Sequence, residues 1–214
     1  MTLGTPRHGS LAGKISCVIV AFPAANAPQN TGPRMSQTTA APADKPWHEI
    51  VLAILKANDV KLIVYVPDRV LTKLIAALHV DSFFTVFAAT REEEAVGVVS
   101  GAYMAGLRGA ALMQTSGFAT LPNALASLVA PSQSPALLCV SERGTLGEVN
   151  RGQALVAKTL RPVLDALAIE NHTITRHDEL AFIVDRSIKQ AYATQAPVVF
   201  ILSPLLTGGK VFAA

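Results

Sequence analysis

The sequence is short of charge, aromatics and cysteine. Of 214 residues only 15% are charged and 6% aromatic, and there are two cysteines. Each shortage excludes something. Cys17 and Cys139 lie far apart with no Cys-x-x-Cys pair, which leaves no disulfide framework or structural zinc and fits a reducing, cytoplasmic setting. Eighteen basic against fifteen acidic residues leave a net charge of +3, without basic clusters interleaved with aromatics, so nucleic acid is not an expected partner. Apolar runs are broken by Pro, Ser or Gly well before the roughly 20 residues a bilayer requires. Dinucleotide (GxGxxG), P-loop (GxxxxGK[ST]), hydrolase-elbow (GxSxG) and zincin (HExxH) signatures are all missing.

What is present is a large apolar fraction, 50%. A chain this apolar and this poor in charge is expected to have part of its surface covered by another subunit. Residues 1–44 read as a flexible tail or a mis-assigned start, and 45–214 as one domain. Arg7 and Lys14 precede a short apolar run, and Ala25-Asn26-Ala27 has the spacing of a leader cleavage site. Pro23 breaks that run, and Met35 offers an alternative start.

From Trp47 onward helices alternate with short apolar strands. Helices are expected over 46–58, 70–78, 91–107, 123–130, 153–167 and 179–193. Strands are expected over 61–66, 82–88, 110–114, 135–141, 171–175 and 197–202. Strands of that length separated by helices need crossover connections. The expected fold is therefore α/β, a three-layer parallel sheet with helices on both faces. In such sheets ligands bind outside the carboxyl ends of the strands. Attention therefore falls on the loops at 66–68, 89–94, 114–123 and 141–150.

The acidic turn Thr90-Arg91-Glu92-Glu93-Glu94 has a purely structural reading. Thr90 would cap the helix, Glu93 would complete a capping box, and three carboxylates would suit the helix dipole. The residues that follow supply a second reading. The order Thr90 to Gly106, then Leu112-Met113-Gln114-Thr115-Ser116-Gly117, then Asn123-Ala124-Leu125, resembles the pyrimidine-binding domain of thiamine diphosphate enzymes. The likeness is nearest to the sulfopyruvate decarboxylase alpha subunit and phosphonopyruvate decarboxylase, and runs from about Trp47 to Pro204. It implies the thiamine diphosphate-binding fold. It also implies a glutamate that hydrogen-bonds the cofactor's pyrimidine nitrogen and so promotes the reactive ylide. Counting back ten residues from Tyr103 puts that role on Glu93. A glutamate in that role is expected to be desolvated, with a raised pKa.

The same resemblance implies cofactor contacts from Pro67, Asp68, Gln114, Thr115, Ser116 and Gly117. Arg143 is the candidate for an anionic substrate head group, because guanidinium suits sulfonate, phosphonate or carboxylate. Each has a plainer alternative: Pro67 a strand terminator, 114–117 a Ser-Gly turn, Arg143 a solvated loop residue. Asn123 is expected to cap its helix, and His48, His79, His172 and His177 to lie at the surface. The sequence departs from the family at Arg69, Glu142 and Phe118-Ala119-Thr120. Those departures leave the particular 2-oxo acid open.

The family also holds the diphosphate and Mg2+ with a Gly-Asp-Gly motif and a distant asparagine. This chain has no Gly-Asp pair and no room for a second domain of ~150 residues. The resemblance thus implies a beta-type partner subunit that carries Mg2+, with no metal ligand supplied here. The expected function is the alpha-type subunit of a two-chain thiamine diphosphate-dependent 2-oxo acid decarboxylase. The alternatives are a split carboligase of the acetolactate synthase kind, or a non-catalytic subunit that kept the fold.

Overall fold

The computed structural model describes residues 45–210. The expected tail, with Cys17, the leader-like run and Met35, lies outside the described residues. The chain runs through α1 (Trp47–Ala57), β1 (Leu62–Tyr65), α2 (Thr72–Val80), β2 (Thr85–Ala88), α3 (Glu92–Met104) and β3 (Gly109–Gln114). A single turn α4 (Thr115–Phe118) and the short α5 (Pro122–Ala124) follow, the latter continuing into a π-helical turn, Leu125–Val129. Then come β4 (Leu137–Ser141), α6 (Arg151–Ala166), β5 (Glu170–Ile174), α7 (His177–Thr194), β6 (Val198–Leu202) and α8 (Pro204–Thr207).

All six strands are parallel, in the order β2-β1-β3-β4-β6-β5. One row across the sheet is Phe87, Val64, Ala111, Leu138, Val199 and Asn171. β4 and β6 are buried at every position, so they read as continuous apolar runs rather than alternating ones. The alternation survives in where the side chains go. Val64, Ala111, Leu138 and Val199 face Val96, Val99, Phe118, Leu125, Leu160 and Leu164. Their neighbours Ile63, Leu112, Cys139 and Phe200 face Leu55, Leu74, Leu78, Leu180 and Ile188. Helices α3 to α6 therefore cover one face and α1, α2 and α7 the other, the three layers that the sequence pattern predicts. Burial drives the Cys139 thiol pKa well up, which makes it an inert core residue.

Several boundaries differ from expectation for local reasons. The Asp68 carboxylate accepts the Val70 and Leu71 amides at 3.0 and 3.2 Å, and this turn delays α2 to Thr72. The segment 123–130 is not one regular helix: it is α5 plus the π turn, and Leu121, not Asn123, occupies the cap position. The strand expected over 82–88 is confined to its last four residues. Asn150 opens α6 two residues early by accepting the Gly152 amide at 3.0 Å. Among the described residues, no helix is long and apolar enough to cross a membrane.

Candidate active site

From β1 the chain steps to β2 on one side and then back past β1 to β3 on the other. That reversal leaves a crevice at the carboxyl ends of β1 and β3, the position where open α/β sheets bind ligands. Four of the expected segments meet there. The turn 66–68 follows β1, the acidic turn follows β2, α4 follows β3, and Glu142-Arg143 follow β4.

The three glutamates of the acidic turn part company. Glu92, the first helical residue, is half-buried and lies against Gly117 so closely that a β-carbon at 117 would overlap its carboxylate and come within 2.6 Å of its Cγ. Glu93 is half-buried as well, its side chain 33% exposed, and it is paired with Arg91 at 3.2 Å and hydrogen-bonded by Thr120. The Arg91 guanidinium, helped by a backbone N–H and by Thr120, holds the Glu93 carboxyl below the usual range. The expectation of a desolvated Glu93 with a raised pKa is thus corrected in this chain: an arginine beside it outweighs the little burial it has. Glu94 reaches back to accept the Thr90 amide at 2.7 Å. The cap residue is Arg91, in extended backbone, rather than Thr90, and the reach-back comes from Glu94 rather than Glu93.

A second group of residues is stitched together beneath the crevice. Asp68 is buried and accepts from Ser141 Oγ at 2.8 Å in addition to its two backbone donors. Thr115 donates its hydroxyl to the Ser141 carbonyl at 3.2 Å and accepts the Arg143 amide at 2.9 Å. Arg143 is buried, not solvated as its plainer reading has it. Its Nε donates to Glu148 at 2.7 Å, and its Nη1 lies 4.0 Å from Asp68. Glu142 is also buried and pairs with Arg161 at 2.8 Å. Gln114 and Ser116 are half-buried, and Pro67 and Arg69 are exposed at the rim. Of the histidines, His79 is exposed, while His48, His172 and His177 are half-buried.

The structure therefore brings together Asp68, Thr115, Gly117 and Arg143 from the expected set, with Gln114 and Ser116 alongside. It adds Ser141 and Glu148, for which the sequence suggests no role, and Glu92, which the count from Tyr103 leaves as a neighbour of Glu93 without that role. Nothing local marks Ser141 or Glu148. For Glu92 there was a signal, since Thr-Arg-x-acid-Glu occurs a second time at 175–179. Among the described residues no three His, Cys, Asp or Glu side chains converge as a metal site. An open groove of about 610 Å³ lies at the other end of the sheet, between Leu125, Leu167, Gln195 and the start of β6. It is remote from these groups, and we give it no part in the chemistry.

No protein-family model matches the chain. It is 33% identical to the sulfopyruvate decarboxylase subunit alpha of Methanocaldococcus jannaschii over 151 residues, 71% of this chain and 89% of that one. It is 32% identical over 121 residues to the phosphonopyruvate decarboxylase of Streptomyces viridochromogenes, covering 56% of this chain but only 30% of that longer one. Among solved structures, the 2-oxoglutarate:ferredoxin oxidoreductase of Magnetococcus marinus superimposes with a TM-score of 0.60 at 14% identity, over 76% of this chain and 29% of that one, which establishes a shared fold alone. The chain belongs to the sulfopyruvate decarboxylase alpha-subunit family, a family of decarboxylases, and its three-layer parallel sheet has the thiamine diphosphate-binding fold.

Proposed function

We propose that the chain is the alpha-type subunit of a two-chain thiamine diphosphate-dependent decarboxylase acting on a small anionic 2-oxo acid, of which sulfopyruvate and phosphonopyruvate are the first candidates. The observation that carries this is the Glu92 carboxylate resting on Gly117 at the carboxyl edge of β1 and β3. That contact holds a carboxylate at the helix start against the loop after β3, where a ring nitrogen seated in the crevice would meet it. The residues present therefore fit the pyrimidine end of the cofactor. When bound, that cofactor supplies a nucleophilic carbon and an electron sink for loss of CO2.

In this reading Glu92 holds a hydrogen bond to a ring nitrogen. The sequence count put that role on Glu93; the Glu93 carboxylate is paired with Arg91, whereas that of Glu92 lies against Gly117. Pro67, Gln114, Ser116 and Gly117 shape the walls. The diphosphate and Mg2+ fall to a beta-type subunit. The lengths of the relatives support that division: this chain matches nearly all of an alpha subunit but under a third of the phosphonopyruvate decarboxylase.

The test is to purify the tagged chain from its source and assay the same sample for a second chain, thiamine diphosphate, Mg2+ and decarboxylation of both acids. A stoichiometric partner with about one cofactor per pair and turnover of either acid is the expected result. A homo-oligomer that takes up no cofactor when thiamine diphosphate and Mg2+ are added would overturn the proposal in favour of a non-catalytic subunit. Carboligation of 2-oxo acids in place of simple decarboxylation would move it to the split carboligase.

A further inference from the structure

A buried arginine between two buried carboxylates is not available to a ligand at no cost. Arg143 is 7% exposed at its side chain, Glu148 6% and Asp68 3%. The Glu148 carboxylate accepts Arg143 Nε at 2.7 Å, the Gly144 amide at 3.3 Å and the Asn150 amide at 2.9 Å. Those bonds, with Arg143's first, hold its carboxyl down at about 2, so Glu148 stays ionised at neutral pH. On the far side of the guanidinium, Asp68 organises the turn that starts α2. The backbone of Arg143 is itself tied to Thr115 and, through it, to Ser141. One side chain thus spans from the loop 144–150 to the turn after β1. Gly144 packs into this junction at φ +81°, where a β-carbon would sit 2.7 Å from that of Ala157, so the loop has little freedom to swing Arg143 outward.

We infer that Arg143 is a positioning residue, with Glu148 as its anchor, that fixes the Pro67-Asp68 turn against the crevice, and is not the group that binds the substrate's anionic end. The inference rests on the proposed function only for what the turn is positioned toward; the coupling between loop and turn stands independently of it. Glu148 is the discriminating residue. A substrate-binding arginine would be freed when Glu148 loses its charge, whereas a positioning arginine would lose its hold.

The experiment is hydrogen exchange, read by mass spectrometry on the full chain together with any subunit that copurifies, for wild type, E148Q, R143Q and R143K. Local opening is read directly in such exchange. E148Q and R143Q should each speed exchange in the peptide spanning 67–72 by about tenfold, and should leave the peptide at 194–198 unchanged. R143K should fall between them and wild type, because an ammonium lacks the guanidinium fork. Faster exchange confined to 144–150 in E148Q would overturn the inference. Should the charge-removing variants unfold, R143K alone reads the junction with the charge kept, and protection of 67–72 as in wild type would then count against the inference.

In an active complex the kinetics add a second readout. E148Q and R143Q should both raise the cofactor concentration needed for half-activity, with the KM for the 2-oxo acid within about twofold of wild type at saturating cofactor. A KM that rises tens of fold in R143Q and falls in E148Q would return Arg143 to the substrate. If no acid is turned over at all, the proposed function fails, and the exchange result still decides the role of Arg143.

Discussion

Two helices of this chain open on nearly the same five residues. α3 starts from Thr90-Arg91-Glu92-Glu93-Glu94 and α7 from Thr175-Arg176-His177-Asp178-Glu179. In both, the arginine is the cap residue in extended backbone, with φ −142° at Arg91 and −124° at Arg176. In both, the second helical residue pairs with that arginine: Glu93 at 3.2 Å and Asp178 at 2.6 Å. In both, the third reaches back to the threonine amide at 2.7 Å, Glu94 to Thr90 and Glu179 to Thr175. The two starts differ at the first helical position. His177 bonds the Lys45 carbonyl at 2.7 Å, a contact within the scaffold. Glu92 instead projects onto Gly117 at the crevice. A helix of this chain can begin with acids at its second and third positions alone, so the local demands of capping account for Glu93 and Glu94. They do not account for Glu92. The comparison separates the acid that capping does not explain from the acids that it does, and the proposed function gives the first its part.

The strongest way to break that comparison is E92Q. Loss of a carboxylate in a general acid–base role costs about 10²–10⁴ in rate. In the assembled complex decarboxylation should fall by at least that lower figure, with melting unchanged. The matched variant H177Q should keep full activity. Next is G117A. The added methyl falls on the Glu92 carboxylate and must displace it, and misplacement by about 1 Å can cost on the order of 10²-fold in rate. Activity should drop with little change in the KM for the 2-oxo acid. Wild-type activity in G117A would mean that the contact has no part in the reaction.

The third test concerns stability. Glu179 accepts three hydrogen bonds, from the Thr175 amide, the Thr175 hydroxyl and the Arg176 amide, whereas Glu94 accepts one. Loss of a cap of this kind costs about 1 kcal/mol, so E179A should destabilise by roughly that amount and E94A by less. The amides of Thr175 and Arg176 hold the Glu179 carboxyl below its ordinary value. A carboxyl depressed in the folded state adds stability that is complete above its unfolded pKa of about 4.3, and that fades as pH falls through the folded value. E179Q should therefore flatten the acid limb of a denaturant-midpoint profile while leaving the neutral region displaced by a constant amount.

The central strands were legible from sequence because burial on both faces leaves β6 wholly apolar and β4 apolar up to Ser141 at its end, and the edges of such runs are sharp. The meeting of the candidate loops was legible too, since a parallel sheet gathers the loops after its strands at one edge. Helix starts were less so. Asp68 and Asn150 set them through side-chain bonds to amides two or three residues on, and periodicity carries no trace of that. The choice between Glu92 and Glu93 is finer than a residue count can make, because one residue along a helix is a rotation of about 100°. A shift of one residue therefore moves the carboxylate from the Gly117 contact to the Arg91 pair. What could have resolved it was the repeated helix start. The pairing of Arg143 with Glu148 is five residues apart, but its link to Asp68 spans the sheet and leaves no mark in either segment.

The smallest expected effect is the one that sharpens the comparison most. Glu93 and Arg91 form an exposed pair, with side chains 33% and 68% accessible. Solvent screens such a pair heavily, so E93Q should cost no more than about 0.3 kcal/mol, despite the depressed pKa of its carboxyl. Its activity in the complex should stay within about twofold of wild type, as should that of D178N. A large activity loss in E93Q with E92Q unaffected would return the role to the residue that counting from Tyr103 selects. It would also mean that the Arg91 pair opens when a partner subunit covers the crevice, since a carboxylate held by that arginine cannot at the same time keep a proton. The two substitutions are adjacent in sequence and equal in chemistry. A difference between them can therefore only come from the direction in which the helix turns each side chain.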